Sequence, residues 1–397
     1  MLLNRRQLII SATAFSSSLA IPRLTWGEKE PAWNRFPSEA VGNRLIVGSE
    51  RHVHFFDAQT LEHKAKVEVG FLPHAFCMHP RRPTELWVIQ RYPGKDERNI
   101  PLRYGTDGYR SVQFKAVGID LTNGEIAGEI LAPKGSDFRG HGYFVPDSDT
   151  LFIARYDMDR NRGHLTGYDV QTGRRIEDYH VSESPTHEAQ YMPDGTVMFA
   201  ANGLGRTQQQ PDEAKALERG VLSGVYRIDA KNGKTLTYSL TNDVSQHAAH
   251  FRILKDGRII AVSRSIFMEK EPKGLPGSIF MGTEGDVLKT LTVGYYAPSE
   301  LQPSEMFSIA LDDSQSMALV TDYVNGNILN VDIEKQVVRQ VHYMPGNFGM
   351  VCDVARKRFI TYGKSLKILD SNMKEIQLKS LLAWNGIALN GSHAIIV

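Results

Sequence analysis

The 397-residue chain holds only two cysteines, Cys77 and Cys352. A secreted fold stapled by disulfides would carry more, and no Cys-x-x-Cys pair or Cys/His zinc spacing occurs. Both thiols lie in apolar, strand-like runs, which suits buried inert groups and leaves a bridge between them open. An excess of one charge is also missing. The formal net charge is +1 and no Lys/Arg block rises above the background, so nothing points to a phosphate-backbone footprint. Acidic tails and low-complexity runs do not occur. No apolar stretch reaches the roughly 20 residues of a membrane helix. Helical periodicity over three turns is scarce; the best candidate is Pro211 to Arg219, inside an insertion. A Gly-x-Ser-x-Gly elbow, a Walker loop and a dinucleotide fingerprint are absent, and Gly203-Leu204-Gly205 lacks its third glycine. His187-Glu188-Ala189-Gln190-Tyr191 opens like a HExxH zinc site, but it ends in Tyr and reads as a strand.

What is present begins with a distinct N-terminus. Arg5 and Arg6 precede a weakly apolar run, Leu8 to Leu19, broken by Ser11, Thr13 and Ser16 to Ser18. A basic head, an apolar middle and a small-residue exit at Ser18-Leu19-Ala20 describe an export signal over residues 1–20. The paired arginines look like a twin-arginine signal, with Asn4 where Ser or Thr is usual. Cleavage after residue 20 removes two arginines and no acid, taking the charge from +1 to −1. Residues 21–43 read as a linker and residues 44–397 as one domain in a periplasmic or secreted protein.

With 41% hydrophobic and 23% charged residues, the chain has enough apolar material for a large core. From about residue 44 it is built of five-to-eight-residue apolar runs closed by Gly, Asp and Asn. One unit recurs: an apolar strand and a turn, often Asp-Gly; a second apolar strand; a third ending in Asp before a glycine turn; and a more polar outer strand. The clearest copy runs from His187 through Pro193-Asp194-Gly195, Thr196–Ala201, Gly224–Asp229 and Lys234–Leu240. Six copies are legible. A seventh needs Trp384–Leu389 and Ala394–Val397 from one end, with Arg44–Val47, Val53–Phe56 and Lys64–Val69 from the other. A four-stranded unit with two apolar faces buries both only by stacking on neighbours, and circular closure removes the ends. The prediction is an all-β, seven-bladed β-propeller closed by strands from both termini. Long connections at Tyr92–Val112, Gly203–Leu222, Ile266–Gly277 and Tyr295–Ser304 are where such a scaffold places binding loops.

Four of the proposed innermost strands begin at or beside a histidine: His74, His141, His187 and His250. In a propeller, equivalent positions on these strands ring one mouth of the central channel. Four imidazoles from consecutive blades would then converge. Neutral imidazoles ligate iron, copper or zinc, so the pattern predicts one transition-metal ion, with a polar funnel for a small anion or a partner side chain as the competing reading. Glu188 and His247 beside the ring, and Glu305 and Met306 on the fifth blade, are candidate accessory groups. His52 and His54 share a strand face that reads as solvent-exposed. Asp157 to Arg162 lacks the EF-hand Gly and Glu and reads as a hairpin turn. No residue stands out as catalytic; an interaction scaffold and a hydrolase or oxidoreductase using the same funnel are the alternatives.

Several strings, in order, carry a resemblance: Arg139-Gly140-His141-Gly142, Asp157 through Arg162-Gly163 to Gly167-Tyr168-Asp169, Pro185 with His187-Glu188, Pro193-Asp194-Gly195, Ala201-Asn202-Gly203 and the His250 strand. From about residue 44 onward the chain resembles the bacterial family known as domain of unknown function 1513. That resemblance implies a periplasmic, propeller-like protein with a twin-arginine-type signal. It also implies a setting beside imelysin-like and haem proteins in iron uptake or homeostasis. Arg206-Thr207-Gln208 stands where relatives carry Thr-His-Pro, so a ligand from that loop is not expected here.

Overall fold

The computed structural model describes residues 43–49, 51–92, 107–203, 222–242, 247–264, 277–293, 306–322, 325–370, 372–380 and 394–396. The proposed signal with Arg5 and Arg6, the linker, the Pro211–Arg219 helix, Trp384–Leu389 and Glu305 lie outside them. The described residues belong to one compact unit, Trp33–Val397.

They form seven four-stranded antiparallel sheets. Numbered from the inside out, blade one is Leu72–Met78, Glu85–Tyr92, Lys115–Asp120 and Ile126–Leu131. Blade two is Ser136–Phe144, Thr150–Asp157, Arg162–Asp169 and Arg175–Ser182. Blades three and four begin with Thr186–Tyr191 and His247–Ile253, and blades five and six with Met306–Leu311 and Asn347–Asp353. In the seventh, seam sheet, Ala394–Ile396 pairs with Arg44–Ser49, Leu45 opposite Ile396; His52–Asp57 and His63–Glu68 complete it.

The apolar runs are continuous because the inner strands of each blade are covered on both sides. In Thr196–Asn202, Val197, Phe199 and Ala201 pack toward blade two, whereas Met198 and Ala200 pack toward blade four; this is the period-2 alternation of a strand. Seven apolar clusters result, one at each blade–blade interface. The last joins Leu45, Val47 and Phe56 of the seam sheet to Ile360, Tyr362 and Ile368 of blade six. Outer strands face water and carry the polarity: five of six positions in Ile126–Leu131 are exposed or half-buried.

The aspartates that end third strands organise the turns. Asp57 Oδ1 accepts the Gln59 and Thr60 amides, and Asp169 and Asp229 accept from Thr172 and Lys231 in the same way. Asp157 does likewise with Asp159 and Arg160, as the hairpin reading of that segment requires. The cysteines are unpaired; burial pushes the Cys77 thiol up to about 12. Among the described residues, no helix is long and apolar enough to cross a membrane.

Candidate metal centre in the propeller throat

Each innermost strand of blades one to six breaks register with its neighbour near its start. The shifts fall at Pro73/Ala75, Phe138/Gly142, Thr186/Ala189, Ala248/His250, Met306/Ile309 and Asn347/Gly349. A bulge interrupts the ladder and re-aims the side chain it carries. His74, His141 and His187 sit within these breaks and His250 directly after one; Phe307 and Phe348 occupy the breaks of blades five and six.

The six rings meet around the axis. His74 Nε2 lies 3.2 Å from His141 Nε2, and His187 Nε2 lies 3.1 Å from His250 Nε2. One ligand nitrogen from each of the four histidines can be chosen so that all lie within 4.8 Å of one another. All four are buried. Phe307 closes the other side, its ring 5.1 Å from that of His250 and 4.5 Å from that of Phe348. Four of the six rings are therefore imidazoles and two are phenyls, so hydrocarbon borders the tetrad on one side.

Close approach here depends on Gly140, whose φ is +90°. A Cβ there would lie 2.1 Å from His74 Cδ2 and 2.8 Å from Arg91 Cβ. Only glycine takes this backbone shape and leaves that space.

Nitrogens around a tetrahedral zinc-like ion, each about 2.0–2.1 Å from it, stand about 3.4 Å apart. The two nitrogen pairs at 3.1–3.2 Å already match that spacing. The donor set is therefore suited to a borderline ion such as zinc, copper or iron.

The accessory residues divide. Glu188 faces the channel beside the tetrad. It accepts the Phe251 amide at 2.9 Å and pairs with Arg252 at 2.6 Å, so its oxygens are spent on blade four. His247 starts its strand opposite Arg264 and is not among the grouped ligands. Met306 is packed in the apolar core between blades four and five, with Ile309 and Val320; the ring position of blade five belongs to Phe307. The bulge moves that position one residue along, which sequence spacing does not register. His54, expected to be exposed, is buried.

One participant escaped the sequence reading. Arg91, near the end of the second strand of blade one, is buried and places Nη1 2.7 Å from His187 Nε2 and 3.4 Å from His74 Nε2. In the sequence it shows only as a charged residue just beyond the apolar run Leu86 to Ile89, on a second strand and so outside the first-strand pattern that marks the ring.

Beyond the tetrad a cavity of about 630 Å³ runs along the second halves of the innermost strands. His141, Glu188, Gln190, Arg252, Ser308 and Cys352 are among its walls. Burial is the main cause pushing the Cys352 thiol up to about 11, so it stays protonated at neutral pH and is a poor nucleophile.

Structural comparison finds the same fold in functionally diverse proteins. Hydrazine synthase from Kuenenia stuttgartiensis is similar with a TM-score of 0.60 at 10% identity, over 82% of this chain and 90% of that one. A periplasmic gluconolactonase from Pseudomonas aeruginosa gives 0.56 at 14% identity, over 89% and 98%. Dihydro-heme d1 dehydrogenase NirN, in complex with DHE, gives 0.55 at 14%, over 93% and 77%. At such identities the likeness is one of fold alone. No curated protein matches the chain. A family model described as "protein of unknown function (DUF1513)" matches residues 110–386, a span that includes His141, His187, His250 and most of the blades, and the chain belongs to that family.

Proposed function

We propose that this chain is an exported, non-catalytic propeller that binds one transition-metal ion, or a metal-bearing partner, through His74, His141, His187 and His250. The observation that carries the reading is the buried tetrad, with ligand nitrogens all within 4.8 Å of one another. Repeat ancestry accounts for a histidine at each strand start. It does not account for four ring nitrogens from four blades brought within 4.8 Å of one another among buried residues. A bound ion would take all four lone pairs at once. The paired Arg5-Arg6 and the family resemblance support a periplasmic setting in metal, especially iron, uptake or homeostasis. An imelysin-like or haem protein is then the expected partner.

The test is metal analysis of protein purified from its native compartment. Stoichiometric iron, copper or zinc, lost in a His141→Ala/His187→Ala variant that still folds, is the expected result. A metal-free protein that refuses all three ions ends the reading.

The cavity favours a second reading, a small-molecule site with His141 and the Glu188–Arg252 pair on its wall. Turnover of a lactone or peroxide, abolished by Glu188→Gln, would place the protein among the enzymes instead.

A further inference from the structure

Arg91 reaches into the tetrad that the metal reading invokes, meeting two of its four histidines. Its Nη1 is 2.7 Å from His187 Nε2, 3.1 Å from His187 Nδ1 and 3.4 Å from His74 Nε2. Those two histidines in turn touch His250 and His141. A guanidinium carries donors only and keeps its charge at any ordinary pH, so it takes the single acceptor nitrogen of His187 and the Nε2 lone pair of His74. Those are the same lone pairs a metal requires. A buried cation and a metal dication also repel each other strongly in a site with little water.

A second observation supplies somewhere for the guanidinium to go. Asp137, on the innermost strand of blade two four residues before His141, is fully buried. Its Oδ2 accepts from the Tyr109 hydroxyl at 2.8 Å and from Arg139 at 3.1 Å. Its Oδ1 is buried and meets no hydrogen-bond donor. Burial pushes the Asp137 carboxyl above its ordinary range, and the charges of Arg139 and, more weakly, Arg91 work against that push. A carboxylate oxygen left without a donor inside a protein is costly and calls for a cation.

We propose, building on the metal reading above, that Arg91 is an internal cation that holds the tetrad when no metal is bound and withdraws toward Asp137 when an ion enters. The arginine thereby lowers the site's affinity and makes the ion releasable, as a carrier needs and a permanent structural site does not. Two cations competing for one set of lone pairs also make the site selective. Only an ion that prefers nitrogen ligands strongly enough to displace a guanidinium would stay.

The experiment is competitive titration of the purified full chain with Zn²⁺ and, as an optical probe, Co²⁺. It compares wild type, Arg91→Met, Arg91→Lys and Asp137→Asn, each checked for a cooperative thermal melt. Losing one charge-assisted competitor should tighten metal binding in Arg91→Met by about tenfold or more. Arg91→Lys should fall between it and wild type, and Asp137→Asn should bind more weakly. A gain in affinity is informative because damage to the fold would lower it. Unchanged or weaker binding in both folded Arg91 variants overturns the proposal and leaves the metal reading standing. Failure of wild type and every variant to bind either ion overturns both. Should Arg91→Met not fold, the ordering of wild type, Arg91→Lys and Asp137→Asn decides by the same criterion.

Discussion

Two groups of histidines in this molecule invite comparison. In the throat, His74, His141, His187 and His250 come from four blades and are separated by 46 to 67 residues between neighbours. In the seam sheet, His52, His54 and His63 lie within 12 residues on adjacent strands. The near neighbours in sequence make the lesser site. His54 uses Nε2 on the Ser49 hydroxyl at 2.9 Å and Nδ1 toward His63 Nε2 at 3.2 Å, so its two nitrogens point to different partners. The distant ones converge because the bulges of four innermost strands turn their side chains toward one axis. Local spacing satisfies an imidazole; only radial symmetry gathers four.

The largest expected effect separates the groups through the backbone. Gly140→Ala drives a methyl into His74 and Arg91 at a positive φ and should cost on the order of 3–4 kcal/mol of stability. Chemical denaturation measures it. A loss below about 1 kcal/mol would mean the throat is looser than its geometry indicates.

The next effect belongs to the seam group. Burial first, then the charges of His63, His52 and Lys66, push the His54 imidazole down to about 3 from an ordinary 6.5. The folded value lies below the unfolded one, so the unfolded chain binds the proton more readily. The stability contributed by neutral His54 is whole above about pH 6.5 and is lost as the pH falls toward 3. At about 1.4 kcal/mol per pH unit, going from pH 7 to pH 5 should remove about 2 kcal/mol, a slope that His54→Phe should flatten. A wild-type unfolding free energy level across pH 5–7 would contradict it.

A smaller effect probes the channel wall. Glu188→Gln leaves Arg252 without its charged partner and weakens the acceptor for the Phe251 amide. A loss of about 1–2 kcal/mol in a thermal or denaturant melt is expected, with metal content unchanged because Glu188 is committed to blade four. Loss of the metal in that variant would make Glu188 a ligand after all.

Smallest of all, His63→Gln should shift stability by no more than about 0.5 kcal/mol and leave metal content untouched. Metal loss there would move the centre from the throat to the seam sheet.

Much of the fold was legible in the repeat, because a strand buried on both faces must be apolar throughout. The strands around Thr196–Ala201 and Gly224–Asp229 therefore announced themselves within a residue or two. The four throat histidines were legible for the same reason: equivalent positions in a repeat become equivalent places in a ring. Phe307 was missed in favour of Met306 because a bulge displaces the count by one, and bulges depend on which strand pairs with which. Arg91 was missed because it reaches the axis from a second strand. The burial of His54 depends on the sheet that covers it, and strand alternation alone has no record of which face is covered.

The sequence by itself determined the strands, their grouping into blades and which residue types stand at each blade's inner start, since these follow from local apolar periodicity and turn chemistry. The tertiary structure alone decided that four imidazoles and a guanidinium share one buried throat opposite two phenyl rings. Convergence on an axis is a property of the closed ring, and no single blade contains it.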